Sequence, residues 1–204
     1  AAAITRAEGD KQAMILAAEG ERDARIARAE GEAKAIYLQK KAEADGLSLV
    51  KAAMENPIDS PRLCELAKGK KNCVIIISDH TRPVPSKVLV PPMLEAIRRG
   101  NPHAKITILI ATGCHRGTTK AELIEKFGPE IVENEHIVIH DCMEEAAMVT
   151  LGTLPSGGTL RINRIAAEAD LLISEGFIEP HFFAGFSGGR KSILPGIAAG
   201  ETVY

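Results

Sequence analysis

The chain has 204 residues, of which 45% are hydrophobic and 25% are charged, and its formal net charge is -2. This balance offers no basic surface for nucleic acid. The apolar content suffices for one sizeable core, and no apolar run reaches the ~20 residues that cross a bilayer. The cysteines have no CxxC spacing, which argues against a zinc knuckle or a thioredoxin-like site and favours reduced thiols in a cytoplasmic protein.

The first segment, residues 1–50, carries a repeat with a spacing of 11 residues. Eleven residues make three helical turns at about 3.67 residues per turn, so repeated apolar positions stay on one face of a helix. The segment is therefore predicted to be a long hendecad-repeat helix, either exposed by itself or self-associating as a coiled coil. The repeat consists of Ala-Glu-Gly at 7–9, 18–20 and 29–31, with Ile4, Ile15, Ile26 and Tyr37 at the same spacing.

The second segment, residues 51–204, is predicted to be a separate α/β domain, because Asn56-Pro57 breaks the helix. Short apolar runs alternate with helical patterns, which is typical of βαβ units and of a Rossmann-like, mostly parallel sheet with flanking helices. Ser60-Pro61 and the capping box that starts at Thr119 mark two helix starts. The predicted strands are 74–77, 106–111, 137–139, 171–173 and a weaker one at 159–163, and the predicted helices are 61–68, 92–99 and 119–127.

Polar loops follow three of these strands, at 78–83, 112–116 and 176–192. The carboxyl ends of parallel strands meet at one edge of a sheet, so we expect the three loops to converge there. Together they hold an acid, arginines, histidines and a lysine. Such a set can bind an anionic ligand and move protons.

Simpler roles stay open for several of these residues. Asp79 could cap the next turn, and His115 could be an ordinary loop residue. Arg190 stands where a P-loop needs glycine, and no GxGxxG opens a helix, so neither nucleoside triphosphate binding nor ordinary NAD binding is predicted. The histidines predicted to lie at the surface or in caps are His103, His136 and His140, and the same role stays open for His80.

The three loops together resemble the N-terminal domain of the nickel-dependent lactate racemase family, over about residues 50–204. The matching motifs are 78–83, 111–116 and 179–191. The resemblance implies a nickel-pincer nucleotide, Ni(II)-pyridinium-3,5-bisthiocarboxylic acid mononucleotide, as cofactor. In the family this nucleotide is tethered through a thioamide to the lysine that matches Lys191.

The resemblance also implies a role for each loop. His115 and His181 match two acid/base histidines, one for each face of a 2-hydroxy acid, with lactate as the default substrate. One histidine removes the hydroxyl proton while the Cα hydride moves to the cofactor, and hydride return to the other face gives the enantiomer. Arg82 would pair with the substrate carboxylate. The residues expected to line the nucleotide are Asp79, His80, Thr81 and Arg82.

The resemblance places the family's nickel-ligating histidine, and a C-terminal domain that closes over the substrate, beyond Tyr204. We therefore expect an incomplete enzyme, inactive alone, that works with cofactor-synthesis proteins. Residues 1–50 resemble the C-terminal helical tail of the stomatin/prohibitin/flotillin (SPFH, band 7) family. Three alternatives stay open: a coiled-coil scaffold with a vestigial ligand-binding domain, a fused or fragmentary reading frame, or a role with another 2-hydroxy acid or in cofactor handling.

Overall fold

The computed structural model describes residues 2–182 and 185–204, with side chains from residue 8 onward. The chain divides into two compact units, Ala1–Ser48 and Leu49–Tyr204. Helix α1, Ala2–Glu55, supplies the first unit and begins the second. Its alanines, glutamates, lysines and arginines are strong helix formers, which outweighs the ~1 kcal/mol that each glycine costs. The predicted helix is therefore confirmed and ends five residues later than expected. No helix in the described residues is long and apolar enough to cross a membrane.

A four-stranded parallel sheet forms the centre of the second unit, with the strand order β3-β2-β1-β6. The two central strands, β1 and β2, each bury five successive residues, as expected for parallel strands that are covered on both faces. The α/β class and its mostly parallel sheet are thus confirmed. The first six strands are β1 Asn72–Ser78, β2 Lys105–Ala111, β3 His136–Ile139, β4 Met148–Thr153, β5 Thr159–Asn163 and β6 Leu171–Ser174.

Apolar layers cover both faces of this sheet. Ile75 packs in a cluster with Leu94 and Phe127, whereas its neighbour Ile76 packs on the other face with Ala166. Successive strand residues point to opposite faces, so one apolar run supplies both layers. The helices of this unit are α2 Leu63–Leu66, α3 Ser86–Gly100, α4 Lys120–Phe127, α5 Pro129–Asn134, α6 Arg164–Ala167 and α7 Gly200–Val203.

The helix predicted at 92–99 begins earlier than expected. Helix α3 starts at Ser86 and contains Pro91 and Pro92. Proline lacks an N–H donor and usually ends a helix, but the burial of Ser86 and Val90 holds the first turns in place. The capping box at Thr119 is confirmed, because the Glu122 carboxylate accepts the Thr119 N–H at 2.8 Å.

Two further predictions differ from the structure. The short helix expected from residue 61 starts at Leu63, and Glu65 accepts the backbone N–H of Arg62 before it. Strand β5 lies outside the parallel sheet and pairs antiparallel with β4. Strand β4 had no sequence signal, because most of its residues are exposed and form no apolar run.

Candidate active site at the strand ends

A cavity of about 310 Å³ lies at the carboxyl ends of β1, β2 and β6. Strand β2 flanks β1 on one side and β6 flanks it on the other. The connections from β1 and from the strands after it therefore run to opposite sides of β1. In open α/β sheets, ligands bind in the crevice that this reversal of strand order leaves at the carboxyl ends of the strands. The three predicted loops meet here as expected. Of the predicted site residues, the cavity is lined by Asp79, Arg82, His115, His181 and Lys191.

The first two loops are joined by a buried carboxylate. His115 Nδ1 lies 2.7 Å from Asp79 Oδ2, and the Asp79 side chain is only 2% exposed. Thr81 donates its backbone N–H and its hydroxyl to Asp79 Oδ1, at 3.1 and 2.6 Å. Burial raises the pKa of Asp79, but the hydrogen bonds from Thr81 and His115 outweigh it, so the net pKa is lowered. Asp79 is therefore an ionised anchor for His115.

His80 and Thr81 are placed differently from their neighbours. His80 Nδ1 lies 3.2 Å from Thr118 Oγ1, and its Nε2 lies 3.9 Å from Glu122 Oε1. Both contacts point away from the cavity, and His80 and Thr81 are not among the described residues that line it. Thr81 therefore reaches the cavity only through Asp79. The expected contact of these two residues with a nucleotide stays a prediction.

The third loop carries His181 in a small hairpin of two short strands, β7 Pro180–His181 and β8 Gly185–Phe186. The His181 ring stacks on Phe182, with ring centroids 4.8 Å apart. Gly188 has φ +71°, and a Cβ there would lie 2.8 Å from the Phe177 carbonyl oxygen, so only glycine fits. The predicted motif also includes residues 183 and 184, which lie outside the described residues.

Lys191 follows this hairpin in a short 3₁₀ turn, Gly189–Ser192. Burial lowers the pKa of Lys191, and the positive charge of Arg82 lowers it further. The Gly196 N–H donates to the Lys191 carbonyl, and the Gly196 carbonyl accepts the Gly113 N–H, both at 2.9 Å. The backbone of the lysine segment is thus tied to the loop that carries His115.

Sequence reasoning missed Glu175, which lines the same cavity and is only 4% exposed. Ser86 Oγ donates to Glu175 Oε1 at 2.6 Å. Burial raises the pKa of Glu175 more than Ser86 and the positive charge of Lys126 lower it. The available signal was its position, because an acidic residue directly after a strand of the parallel sheet lies at the ligand edge of that sheet.

His140 corrects another prediction. We expected it at the surface or in a cap, but its side chain is buried, with Nε2 3.0 Å from the Ala198 carbonyl oxygen and Nδ1 3.3 Å from Asn163 Nδ2. Burial lowers the pKa of His140, so the neutral ring joins β3 to the segment after Lys191. His103 and His136 are exposed, as predicted.

No three His, Cys, Asp or Glu side chains come together as a metal site in residues 2–182 and 185–204. The cavity instead combines two histidines, an arginine, a lysine and two buried carboxyl groups. Titratable groups gathered at the strand ends of a parallel α/β domain are characteristic of an enzyme site.

The lactate racemase N-terminal domain family matches residues 20–204, and the chain belongs to that family. The lactate racemases of Thermoanaerobacterium thermosaccharolyticum and Lactiplantibacillus plantarum are 62% and 59% identical to it over 154 residues, which are 76% of this chain and 36% of each relative. The chain thus spans little more than a third of the length of these relatives, which are isomerases by name.

Solved structures agree with this assignment. The lactate racemase apoprotein from Thermoanaerobacterium thermosaccharolyticum has a TM-score of 0.76 and 61% identity, over 78% of this chain and 38% of that one. A crystal structure of a Thermotoga maritima protein has a TM-score of 0.60 and 26% identity, over 69% of this chain and 38% of the other. The resemblance of residues 1–50 to SPFH tails stays a prediction.

Proposed function

We propose that this chain forms the part of a 2-hydroxy acid racemase that holds a nickel-pincer nucleotide on Lys191 and the acid/base histidines around lactate. The observation that carries the proposal is the convergence of Arg82, His115, His181 and Lys191 on one cavity from three separate loops. The relatives named lactate racemase, at 59% and 62% identity, support the choice of reaction.

The described residues fit such a cofactor. Lys191 has a lowered pKa because of burial and Arg82, which favours the neutral amine that a covalent tether needs. Arg82, which lines the same cavity, supplies positive charge for an anionic group of a nucleotide. The chemistry that the bound nucleotide supplies is a hydride acceptor for the substrate Cα.

His115 is the better defined of the two acid/base groups. The Asp79 carboxylate accepts a hydrogen bond from the Nδ1–H of His115 at 2.7 Å. Nε2 is therefore the ring atom that accepts a proton from the substrate hydroxyl. The same carboxylate then stabilises the imidazolium that forms. Asp79 thus sets both the tautomer and the orientation of His115.

His181 serves the opposite face of the substrate in this proposal. It reaches the cavity from the third loop, whereas His115 reaches it from the second. A racemase needs a base for each enantiomer, and two histidines on different loops supply one on each side. Arg82, which lines the same cavity, pairs with the lactate carboxylate and holds the Cα in place.

Intact mass spectrometry tests the tether. The chain is co-expressed with the cofactor-synthesis proteins in medium that contains nickel. We expect an adduct on the wild-type chain and none on Lys191→Ala, while the exposed-surface control Lys120→Ala keeps it. An adduct that survives Lys191→Ala would contradict the assignment, and so would a wild-type chain that stays unmodified inside an active enzyme.

The chain by itself is expected not to racemise lactate. The chain spans 36% of the length of each curated relative, so it supplies only part of the residues of those enzymes. Chiral chromatography of lactate incubated with the isolated, cofactor-loaded chain measures this directly. Turnover comparable to that of the curated relatives would contradict the expectation.

Self-association is proposed for the first unit. Ile15, Ile26 and Tyr37 recur at hendecad spacing and are 40%, 49% and 65% exposed. A second copy of the same helix would cover this stripe. Light scattering after size exclusion should show a dimer or larger species that the double variant Ile15→Asn/Ile26→Asn converts to monomer. A wild-type chain that stays monomeric at high concentration would contradict the coiled coil.

A further inference from the structure

Two buried oxygen atoms at the cavity have no hydrogen-bond partner in the described part of the chain. They are Ser78 Oγ and Glu175 Oε2. Buried polar groups in folded proteins are nearly always paired, because an unpaired one costs stability. Two such atoms in one ligand cavity therefore indicate that a ligand supplies their hydrogen bonds.

The two residues lie on or just after neighbouring strands, and the Ser78 backbone is close enough to the Glu175 carboxyl group to lower its pKa against the larger effect of burial. Ser78 ends β1, and Glu175 directly follows β6, which is hydrogen-bonded to β1 with Ile76 opposite Ser174. The Glu175 N–H continues this ladder by donating to the Ile76 carbonyl at 2.8 Å. Both residues line the cavity. They therefore form the part of the cavity wall between β1 and β6, which we call the cavity floor.

The Glu175 carboxyl group is oriented by the fold. Ser86 Oγ donates to Oε1 at 2.6 Å, which leaves Oε2 as the oxygen available to a ligand. Lys126 lies close enough for its charge to favour the carboxylate, and its Nζ donates to the Arg82 carbonyl at 3.3 Å. The side chain is only 4% exposed, so solvent reaches it only through the cavity.

We propose that Ser78 Oγ and Glu175 Oε2 form a hydroxyl-binding subsite that takes the vicinal diol of a ribose. This inference depends on the proposed function, because it places the sugar of the nucleotide that Lys191 holds. A carboxylate accepts hydrogen bonds from hydroxyl groups and repels phosphate, while the serine hydroxyl can accept or donate. An anionic group of the nucleotide then lies at Arg82 and its tethered end lies at Lys191, so the cavity accepts the ligand in one orientation.

The test compares two probes by isothermal titration calorimetry with the full chain. The first probe is nicotinic acid mononucleotide, a pyridinium mononucleotide with an intact ribose, and the second is its 2′,3′-dideoxy analogue. The wild-type chain should bind the first about tenfold more tightly, as expected for a hydrogen bond to a charged group. Arg82→Ala should weaken both probes.

Variants of the floor should remove the preference for the diol. In Glu175→Gln the amide oxygen stays with Ser86 and an NH₂ group replaces the accepting oxygen, so the tenfold difference should vanish. Ser78→Ala should reduce it to about threefold. The exposed control Glu168→Gln should keep it. Ser78→Ala should also leave the melting temperature of the free chain unchanged or raised, because it removes an unpaired buried group.

Each contrary result has a separate meaning. Equal binding of both probes by the wild-type chain would overturn the subsite and leave the proposed function standing. Equal weakening of both probes by Glu175→Gln, together with a lowered melting temperature for Ser78→Ala, would show a structural role and overturn the subsite as well. The wild-type chain could prefer the intact ribose while Arg82→Ala leaves the affinity for both probes unchanged. That result would support the subsite and contradict the proposed nucleotide site.

Discussion

The two sides of the cavity differ in how completely their polar groups are paired. On the β1/β2 side, both oxygens of Asp79 accept hydrogen bonds, and one of them holds His115. On the β6 side, Glu175 has one oxygen paired and one unpaired, and Phe182, which stacks on His181, is 92% exposed. The first side is organised before a ligand arrives. The second offers hydrogen bonds that a ligand completes.

The largest expected effect comes from removing either histidine. His115→Ala and His181→Ala in the loaded enzyme should each lower kcat by at least about 100-fold, because each removes the base proposed for one substrate face. Both variants should keep the Lys191 adduct. If one variant retains near wild-type turnover, the reaction needs the histidine of only one side of the cavity. That result would contradict the division of roles between the two sides.

Asp79→Asn tests the organised side alone. The amide cannot stabilise an imidazolium, and it can turn its NH₂ toward Nδ1 and favour the wrong tautomer of His115. We expect kcat to fall by about 100-fold while the adduct and the KM for lactate change little. An increase in KM with unchanged kcat would instead make Asp79 a substrate-binding group.

The pH dependence of stability should separate the two buried carboxyl groups. The folded-state pKa of Asp79 is lowered, so its stabilisation is complete above an unfolded pKa of about 3.9 and is lost as pH falls through the folded value. The pKa of Glu175 is raised, so stability falls as pH rises from about 4.3 through its folded value.

Melting temperatures from acid to neutral pH measure these two slopes. Asp79→Asn should reduce the loss of melting temperature as the pH falls below about 4. Glu175→Gln should reduce the decrease in melting temperature as the pH rises toward neutral. A Glu175→Gln variant that steepens the decrease would contradict the raised pKa. The exposed pair Arg164–Glu168 provides a control, because Glu168→Gln should change neither slope.

The smallest expected effect concerns Thr81. Thr81→Val removes the hydroxyl that donates to Asp79 at 2.6 Å and leaves the backbone N–H bond in place. We expect a loss of about 1 kcal/mol in unfolding free energy and a higher pKa for Asp79. Chemical denaturation measures the first. A loss of more than about 3 kcal/mol would show that the loop depends on Thr81 for its fold.

Much of the site was predictable from local sequence. The runs 74–77, 106–111 and 171–173 are apolar enough to be buried strands, and the polar residues after them had to lie at one edge of a parallel sheet. This placement predicted that the loops with Asp79, Arg82, His115, His181 and Lys191 would meet, while the role of each residue came from the family resemblance. His80 shares the same loop but turns toward Thr118 and Glu122, because side-chain direction depends on the helix that packs beside the loop.

Other features had no local signal. His140 and Glu175 are buried polar residues, and each depends on a distant partner, Ala198 or Ser86. A sequence does not show which polar residues will find such partners, because hydrogen bonds between loops form only when the strands are assembled. Strand β4 was hidden for a similar reason, since it is stabilised by pairing with β5 rather than by burial of an apolar run.

The amino-acid sequence by itself determined the four strands of the parallel sheet, the long helix and the three polar loops, since apolar runs, helix formers and glycines act locally. Only the tertiary structure decided the strand order that puts β1 between β2 and β6. That order brings Asp79 to His115 across 36 positions and joins Glu175 to the end of β1 through the Ile76 carbonyl. The pairing of distant strands sets these distances, so the tertiary fold completes the cavity whose side chains the sequence supplies.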